Sequence, residues 1–254
     1  MIQGYKDFEF DLERALLDHL IDAFNNLDAA PLSTSYVQHI PDEQGLYKLF
    51  LDDILVYVGK TDAEAGLNKR LSRHCRKIGH RQNLDPDRVW FKAIRIYVFT
   101  PMDLEEQLIK RYGGPKKIAW TNSGFGSNDP GRERDTTAYK EAHFDSQYPI
   151  DIDRPVTLAT PDQPTAAAVL RALRKSVPYT VRFQSDPNRK NRAHHDLDNT
   201  EILFDCSQPA STRSIIRNVI SALPTGWQAT ALPSHVIIYK EDRDYEHGEV
   251  IARS

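Results

Sequence analysis

The spacing of apolar positions changes several times along the chain, and each change marks an element. Phe8, Leu12, Leu16, Leu20, Ile21 and Phe24 recur at three- and four-residue steps, which predicts an amphipathic helix over residues 8–27. "PLSTSYVQHIPDEQ" then connects to "GLYKLFLDDILVYVGK" (45–60). There, two β-rich runs flank an Asp-Asp turn, the pattern of a hairpin. A second helix is predicted over 64–78, followed by an "NLDPD" turn and an alternating strand, "VWFKAIRIYVF". A third helix opens after Pro101 with the acidic first turn of "MDLEEQLIKRY", which suits the helix dipole. "GGP" stops it, and the Gly/Asn/Asp/Pro-rich stretch "WTNSGFGSNDPGRERDTT" is incompatible with regular structure.

The order β-β-α-β-α predicts a small antiparallel-containing sheet flanked by helices, an α+β arrangement. The pattern shifts near residue 150. "VTLATPDQPTAAAVLRALRKSVP" (156–178) aligns at an offset of 46 with "ILFDCSQPASTRSIIRNVISALP" (202–224), each reading as strand, Ser/Thr, helix and terminal apolar-Pro. Arg171/Arg217 and Pro178/Pro224 are the identities. A second small α+β domain, with β-α-β written twice, is expected. The organisation expected is therefore a helical support over 1–35, a central domain over 36–150, and a C-terminal domain over 151–254 that is a candidate for DNA or partner binding. Between its two halves lies "RFQSDPNRKNRAHHDLDN", a polar loop with four Arg/Lys and two His, whose bland reading is a solvated linker.

Composition fits a soluble globular chain, with 40% hydrophobic and 27% charged residues. No apolar run approaches the roughly 20 residues of a membrane span, and the acidic start lacks a leader's basic flank. Cys75 and Cys206 have neither metal-ligand spacing nor a disulfide framework. A cytoplasmic setting and no membrane partner are expected.

The net charge is −3, but residues 1–56 carry eleven Asp/Glu against three Lys/Arg, and residues 57–150 carry seventeen Lys/Arg against twelve acids. "KRLSRHCRKIGHR" (69–81) holds six Lys/Arg, two His and no acid. A block of one sign repels itself unless an anion lies beside it, and DNA phosphate is the obvious candidate. The block's other reading is a solvated helix face.

Phosphodiester hydrolysis needs a proton acceptor for water, a cation on the non-bridging oxygens, and donors for the charge that develops on phosphorus. Arg70 and His74 stand four apart on the second helix, so they leave one face. Glu105 opens the third helix in an E-x-x-L-I register, which favours it over the adjacent Glu106. Asn122 sits in the Gly-rich loop. Tyr47, Tyr57, Arg70, His74, Glu105 and Asn122 thus form an ordered series of base, donor, cation and metal-ligand types. Singly, each has a structural reading: packed strand tyrosines, a solvated or partly buried helix residue, an acid favoured by the dipole. His194 and His195 have no further ligand at useful spacing and are not read as a metal site.

The series resembles the GIY-YIG nucleases: "GLY" (45–47) stands for GIY and "YVG" (57–59) for YIG. The likeness, over roughly 30–150, is to the type II restriction endonucleases of that superfamily that cut a GC-rich palindrome. It includes Arg-x-x-x-His at Arg70 and His74, the stretch "WTNSGFGSNDPGRER", and "FDSQYP". Thr121 is one residue more than the family has between its Trp and Asn, and "GGPKKIA" lengthens the approach to Asn122.

The resemblance implies a GIY-YIG-type fold and metal-dependent hydrolysis of double-stranded DNA as a restriction or defence nuclease. One divalent ion, Mg2+ or Mn2+, would sit on Glu105. Tyr47 would act as the base or relay to it, with His74 the other candidate. Arg70 would stabilise the transition state, and Tyr57 and Asn122 would position groups. A palindromic cut implies a homodimer, and a cognate methyltransferase is a possible defence partner. Lys60, Lys69, Arg73, Arg76, Lys77, Arg132 and Arg134 are the expected DNA contacts. The alternatives are a non-catalytic nucleic-acid-binding or assembly module on the same fold, and a structure-specific repair nuclease.

Overall fold

The computed structural model describes residues 3–9, 11–61, 65–97, 103–126, 129, 131–159, 164–189, 192–203 and 208–254. Elements of both kinds alternate, and the class is α+β, with antiparallel-containing sheets flanked by helices. No helix among the described residues is long and apolar enough to cross a membrane. Two compact units emerge: Met1–Cys75 with Pro86–Asn122, and Arg76–Asp85 with Ser123–Ser254.

In the first unit, α1 (Leu12–Asn25) starts later than the apolar period. The Asp11 carboxylate accepts from the Arg14 backbone N–H at 2.9 Å, capping the helix there and ending it on the N-terminal side. Phe8 (82% exposed), ahead of the cap, and Leu12 (67%), in the first turn, stay in solvent, while Leu20 and Phe24 are buried. The connector contributes β1 (Ala30–Pro31) and a single turn, α2 (Thr34–Val37). The hairpin forms as β2 (Gly45–Leu51) and β3 (Ile54–Lys60). Asp52 and Asp53 both take positive φ, 49° and 64°, the conformation a two-residue turn needs to match strand twist.

α3 (Leu67–Ile78), β4 (Val89–Arg95) and α4 (Leu104–Arg111) complete the unit, in the sheet order β1-β4-β2-β3. Its strand pairs are antiparallel.

Strand alternation gives this sheet two faces. Leu46 and Val58 join Leu20, Phe24, Leu104, Leu108 and Ile118 in one core cluster, so α1 and α4 pack on that face. Lys48 shares it. Its ammonium lies 4.1 Å from the Phe24 ring centre and 4.2 Å from that of Tyr112, and donates to the Tyr112 hydroxyl. Its cross-strand neighbour is another lysine, Lys92. Burial, with Lys92 adding to it, lowers the Lys48 amine to about 8.

The second unit is built on the sheet β10-β8-β9-β6. In chain order its elements are α5 (Phe144–Gln147), β5 (Pro155–Val156), α6 (Ala166–Ser176), β6 (Thr180–Phe183), α7 (His195–Asn199) and β7 (Ala210–Ser211). α8 (Thr212–Ala222), β8 (Gln228–Leu232), β9 (His235–Tyr239) and β10 (Glu249–Arg253) follow.

α6 and α8 keep the 46-residue offset end to end. Each is capped by a hydroxyl, Thr165 or Ser211, that accepts from the backbone three residues on. The strands before them depart from the expected duplication. The alignment pairs 156 with 202, but β5 pairs antiparallel with β7 at 210–211. Leu203 is 93% exposed, and residues 204–207, with Cys206, lie outside the described residues.

The division at Asn122 also differs from the expected boundary at 150. Residues 123–150 join the second unit because Phe144 packs at 4.8 Å on Phe125, because Asp145 binds Arg81 and Arg134, and because Ile150 enters that unit's core.

Lys48 yields a test. Its folded value near 8 lies below the ordinary 10.5, so the unfolded chain binds more protons between those values, and stability rises with pH across that window. Allowing for solvent screening, the rise attributable to Lys48 is about 2 kcal/mol. Urea denaturation from pH 7 to 10.5 is expected to show the wild type gaining on Lys48→Met by that amount. A constant difference would mean the amine is not desolvated.

Candidate active site

The opposite face of the hairpin carries the tyrosines. Tyr47 stands across from Gly59, and Tyr57 across from Leu49. Because alternate residues share a face, the two rings lie diagonally on one side, 6.1 Å apart. Gly59 is required there. A Cβ at that position would meet the Tyr47 ring carbon Cζ and its hydroxyl at 2.4 Å, so the tyrosine lies across the strand where a side chain would be. Gly45 has its own reason: a Cβ would stand 2.2 Å from the Ile94 carbonyl oxygen in the adjoining strand. The glycines beside both tyrosines are thus demands of close approach.

α3 covers this face. Leu67, Leu71 and His74 recur at helical spacing and are buried, which brings the imidazole down onto the tyrosines. His74 Nε2 lies 2.8 Å from the Tyr47 hydroxyl, and the His74 ring is 5.5 Å from that of Tyr47 and 5.8 Å from that of Tyr57. The two phenols act on each other electrostatically, Tyr57 raising Tyr47. Exposure is graded across the three residues: Tyr57 is half-buried, Tyr47 is 1% exposed and His74 is buried. Burial raises the Tyr47 phenol well above its ordinary value, with Tyr57 and Glu105 adding and Arg70 opposing. Tyr57 is raised by burial and then by Glu105, against Arg70 and Arg73.

One turn before His74, Arg70 is half-buried. Its Nε is buried and takes no acceptor among the described residues. Glu105 opens α4, whose cap is Asp103, which accepts from the Glu106 backbone at 3.2 Å. Lys60 binds Asp103 at 2.8 Å and reaches Glu105 at only 3.9 Å. The Glu105 side chain is 24% exposed. Burial raises its carboxyl, Lys60 and Arg70 pull it down, and Asp103 pushes it up. Glu106 instead turns outward to Lys110 at 2.7 Å. Tyr47, Tyr57, Arg70 and Glu105 therefore act on one another electrostatically, with His74 hydrogen-bonded to Tyr47 and Lys60 and Asp103 at the rim. Asp103 was not among the sequence candidates; its signal was the cap position before an amphipathic helix.

Other candidates fall elsewhere. Asn122 is exposed with φ 59°, a left-handed conformation asparagine tolerates, and its side chain makes no hydrogen bond among the described residues. Lys69 is exposed and held by Asp42 at 2.8 Å. Arg73 and Arg76 are exposed, with no ion pair among the described residues.

Lys77 and Arg134, expected as DNA contacts, are committed inside the second unit. Lys77 donates to the Phe125 carbonyl and lies over the Phe125 and Phe144 rings. Arg134 binds Ser234 at 2.9 Å and buried Asp145 at 2.5 Å. Arg132 is exposed but lies over the Tyr239 ring. The Gly-Phe-Gly stretch is a packing feature of the same unit: a Cβ on Gly124 would strike the His143 ring at 2.4 Å, and Phe125 is buried.

His194, His195 and Asp196 bring three donor atoms within 4.8 Å, so the third group absent by spacing is the next residue. Its chemistry is already engaged. Asp196 Oδ2 accepts from Lys240 and Trp227 at 3.0 Å each, and His194 Nδ1 caps α7 by accepting from the Asp196 backbone.

No protein-family model matches the chain, and no curated protein matches it.

The Tyr47–Gly59 contact makes a prediction. Gly59→Ala should destabilise the first unit by about 2 kcal/mol, as overpacking does. Adding Tyr47→Leu makes room for the methyl, so the double variant should lose less than the sum of the single changes. Additive losses in chemical denaturation would show that the two residues are not in contact.

Proposed function

We propose that the chain is a metal-dependent endonuclease that hydrolyses phosphodiester bonds of double-stranded DNA, a sequence-specific restriction or defence nuclease of the GIY-YIG kind. The observation that carries this reading is the hydroxyl–imidazole pair of Tyr47 and His74 with the Tyr57 ring beside both, Arg70 and Glu105 acting electrostatically on the two phenols.

Burial holds the Tyr47 phenol protonated at neutral pH, so it does not serve as a standing phenolate. It relays instead. As water attacks phosphorus, the bond to the leaving ester oxygen breaks and that oxygen takes a proton from solvent. The proton of the attacking water passes to the Tyr47 hydroxyl and that of Tyr47 to His74 Nε2, while Tyr57 beside them positions the reacting groups. The imidazole is the terminal acceptor, and each phenol ends the step neutral. Arg70, with a buried Nε–H that takes no acceptor among the described residues, meets the negative charge that develops on the phosphoryl oxygens.

The donor set fits a hard divalent cation: a single half-buried carboxylate, Glu105, whose nearest ammonium stands back at 3.9 Å, leaves room for water and phosphate oxygens. Such an ion on Glu105 would neutralise phosphate charge and polarise the attacked phosphorus. Lys60, paired chiefly with Asp103, flanks that position as a further cation. One such site cuts one strand, so a double-strand cut calls for a homodimer whose two-fold matches that of the duplex.

Plasmid cleavage with Mg2+ or Mn2+ tests the reading. Glu105→Gln should abolish metal-dependent cutting while duplex binding persists. Arg70→Ala should slow it on the order of a hundredfold to a thousandfold. Tyr47→Phe, which keeps the ring across Gly59, and His74→Gln should each slow it on the order of a hundredfold or more, and combining them should add little because they serve one relay. Full cutting by Glu105→Gln would remove the mechanism. Duplex binding without cutting by the wild type would turn the reading to a non-catalytic module.

A further inference from the structure

The second unit holds a cavity of about 350 Å3, at the lower end of small-ligand sites, on the edge strand β6. Four arginines line it: Arg171 and Arg174 from α6, Arg182 from β6, and Arg192 from the loop read in the sequence as a solvated linker. They fall into two pairs. Arg182 is fixed by Asp129 through both Nη2 contacts, at 2.8 and 2.9 Å, and by Asp135 through Nη1. Arg171 reaches Asp198 at 3.3 Å. These two are held by carboxylates and form walls.

Arg174 and Arg192 are exposed and carry no ion pair among the described residues. Arg174 follows Arg171 by three positions, so the two share a helix face and repel. Asp129, the single acidic lining residue among the described ones, is already occupied by Arg182. Two open guanidinium forks facing a concave surface, with Ser185 among the polar lining groups, match the oxygens of a phosphoryl group.

We propose that this cavity is a phosphoryl-binding site, in which Arg174 and Arg192 clasp a phosphate oxygen cluster while Arg171 and Arg182 set its walls. The phosphate comes either from a nucleic-acid backbone, in which case the proposal deepens and rests on the nuclease reading, or from a free nucleotide.

The experiment uses the full chain carrying Glu105→Gln, so that DNA stays intact. A labelled duplex is followed by fluorescence anisotropy, and ATP and inorganic phosphate by calorimetry. The same measurements are made with Arg174→Glu/Arg192→Glu, with the charge-conserving Arg174→Lys/Arg192→Lys, and with Lys175→Glu, an exposed change on α6 outside the cavity. At least one probe should bind the parent. Charge reversal should weaken that probe at least tenfold, the lysine pair less, and Lys175→Glu less than twofold. Loss on the duplex, with the slope of log K against log salt falling by about 2, identifies a backbone phosphate; loss on ATP or inorganic phosphate alone identifies a free ligand.

The proposal is overturned if the parent binds none of the probes, if charge reversal leaves every affinity within twofold, or if Lys175→Glu weakens binding equally. Cleavage by the chain with Glu105 restored is scored separately. Failure to cut with the cavity arms intact sinks only the nuclease reading, and cutting with unchanged affinities sinks only the cavity.

Discussion

The Tyr47 ring laid across Gly59 is the contact on which the candidate site depends. It exists because one residue of β3 has no side chain, and it fixes how high the Tyr47 hydroxyl stands above the sheet. That height leaves α3 little freedom. For His74 Nε2 to reach 2.8 Å from the hydroxyl, the helix must turn Leu67, Leu71 and His74 inward together, which a helical period allows. Arg70, one turn before His74, is then carried to the margin of the same face, half-buried with its Nε inside. A single glycine thus sets the phase of a helix and the position of a guanidinium.

The same sheet shows why the reactive groups gather on one side only. On the other face, Lys48 enters an aromatic and aliphatic core beside Lys92, and folding lowers its amine to about 8. That is a cost, offset in part by the Tyr112 hydroxyl that accepts from the amine and by the Phe24 and Tyr112 rings beside the ammonium. On the site face, burial instead raises Tyr47, Tyr57 and Glu105. All three shifts favour the protonated form, and Arg70 opposes all three. A positive charge placed among these acids would favour their ionised forms, as Arg70 already does.

Much of the first unit was legible in the sequence, because period and punctuation agreed: alternation around Asp52-Asp53, a helical stripe through His74, and an acidic first turn at Glu105. Five of the six proposed catalytic residues meet for that reason. Asn122 does not, since a Gly-rich loop has no period to aim a side chain, and its left-handed backbone points to no partner. The start of α1 was misplaced because apolar spacing ran on through Phe8 while Asp11, a stronger local signal, ended the helix.

Charge was the least legible feature. A sequence counts arginines but does not show which of them already hold a carboxylate. Lys77 and Arg134 counted as DNA contacts until buried partners accounted for them, Asp145 for Arg134 and the Phe125 carbonyl and two aromatic rings for Lys77. Arg192 counted as a solvated linker until it was found beside Arg174 on a concave surface. Two of the acids that fix arginines in the second unit, Asp135 and Asp145, are buried, where removing one partner would leave an uncompensated charge. Arg174 and Arg192 sit outside these networks, exposed and without a counter-charge among the described residues. Arginines held by buried acids serve the fold; those left over at a cavity are the ones with binding capacity to spare, and that separation can be read only once the chain has folded.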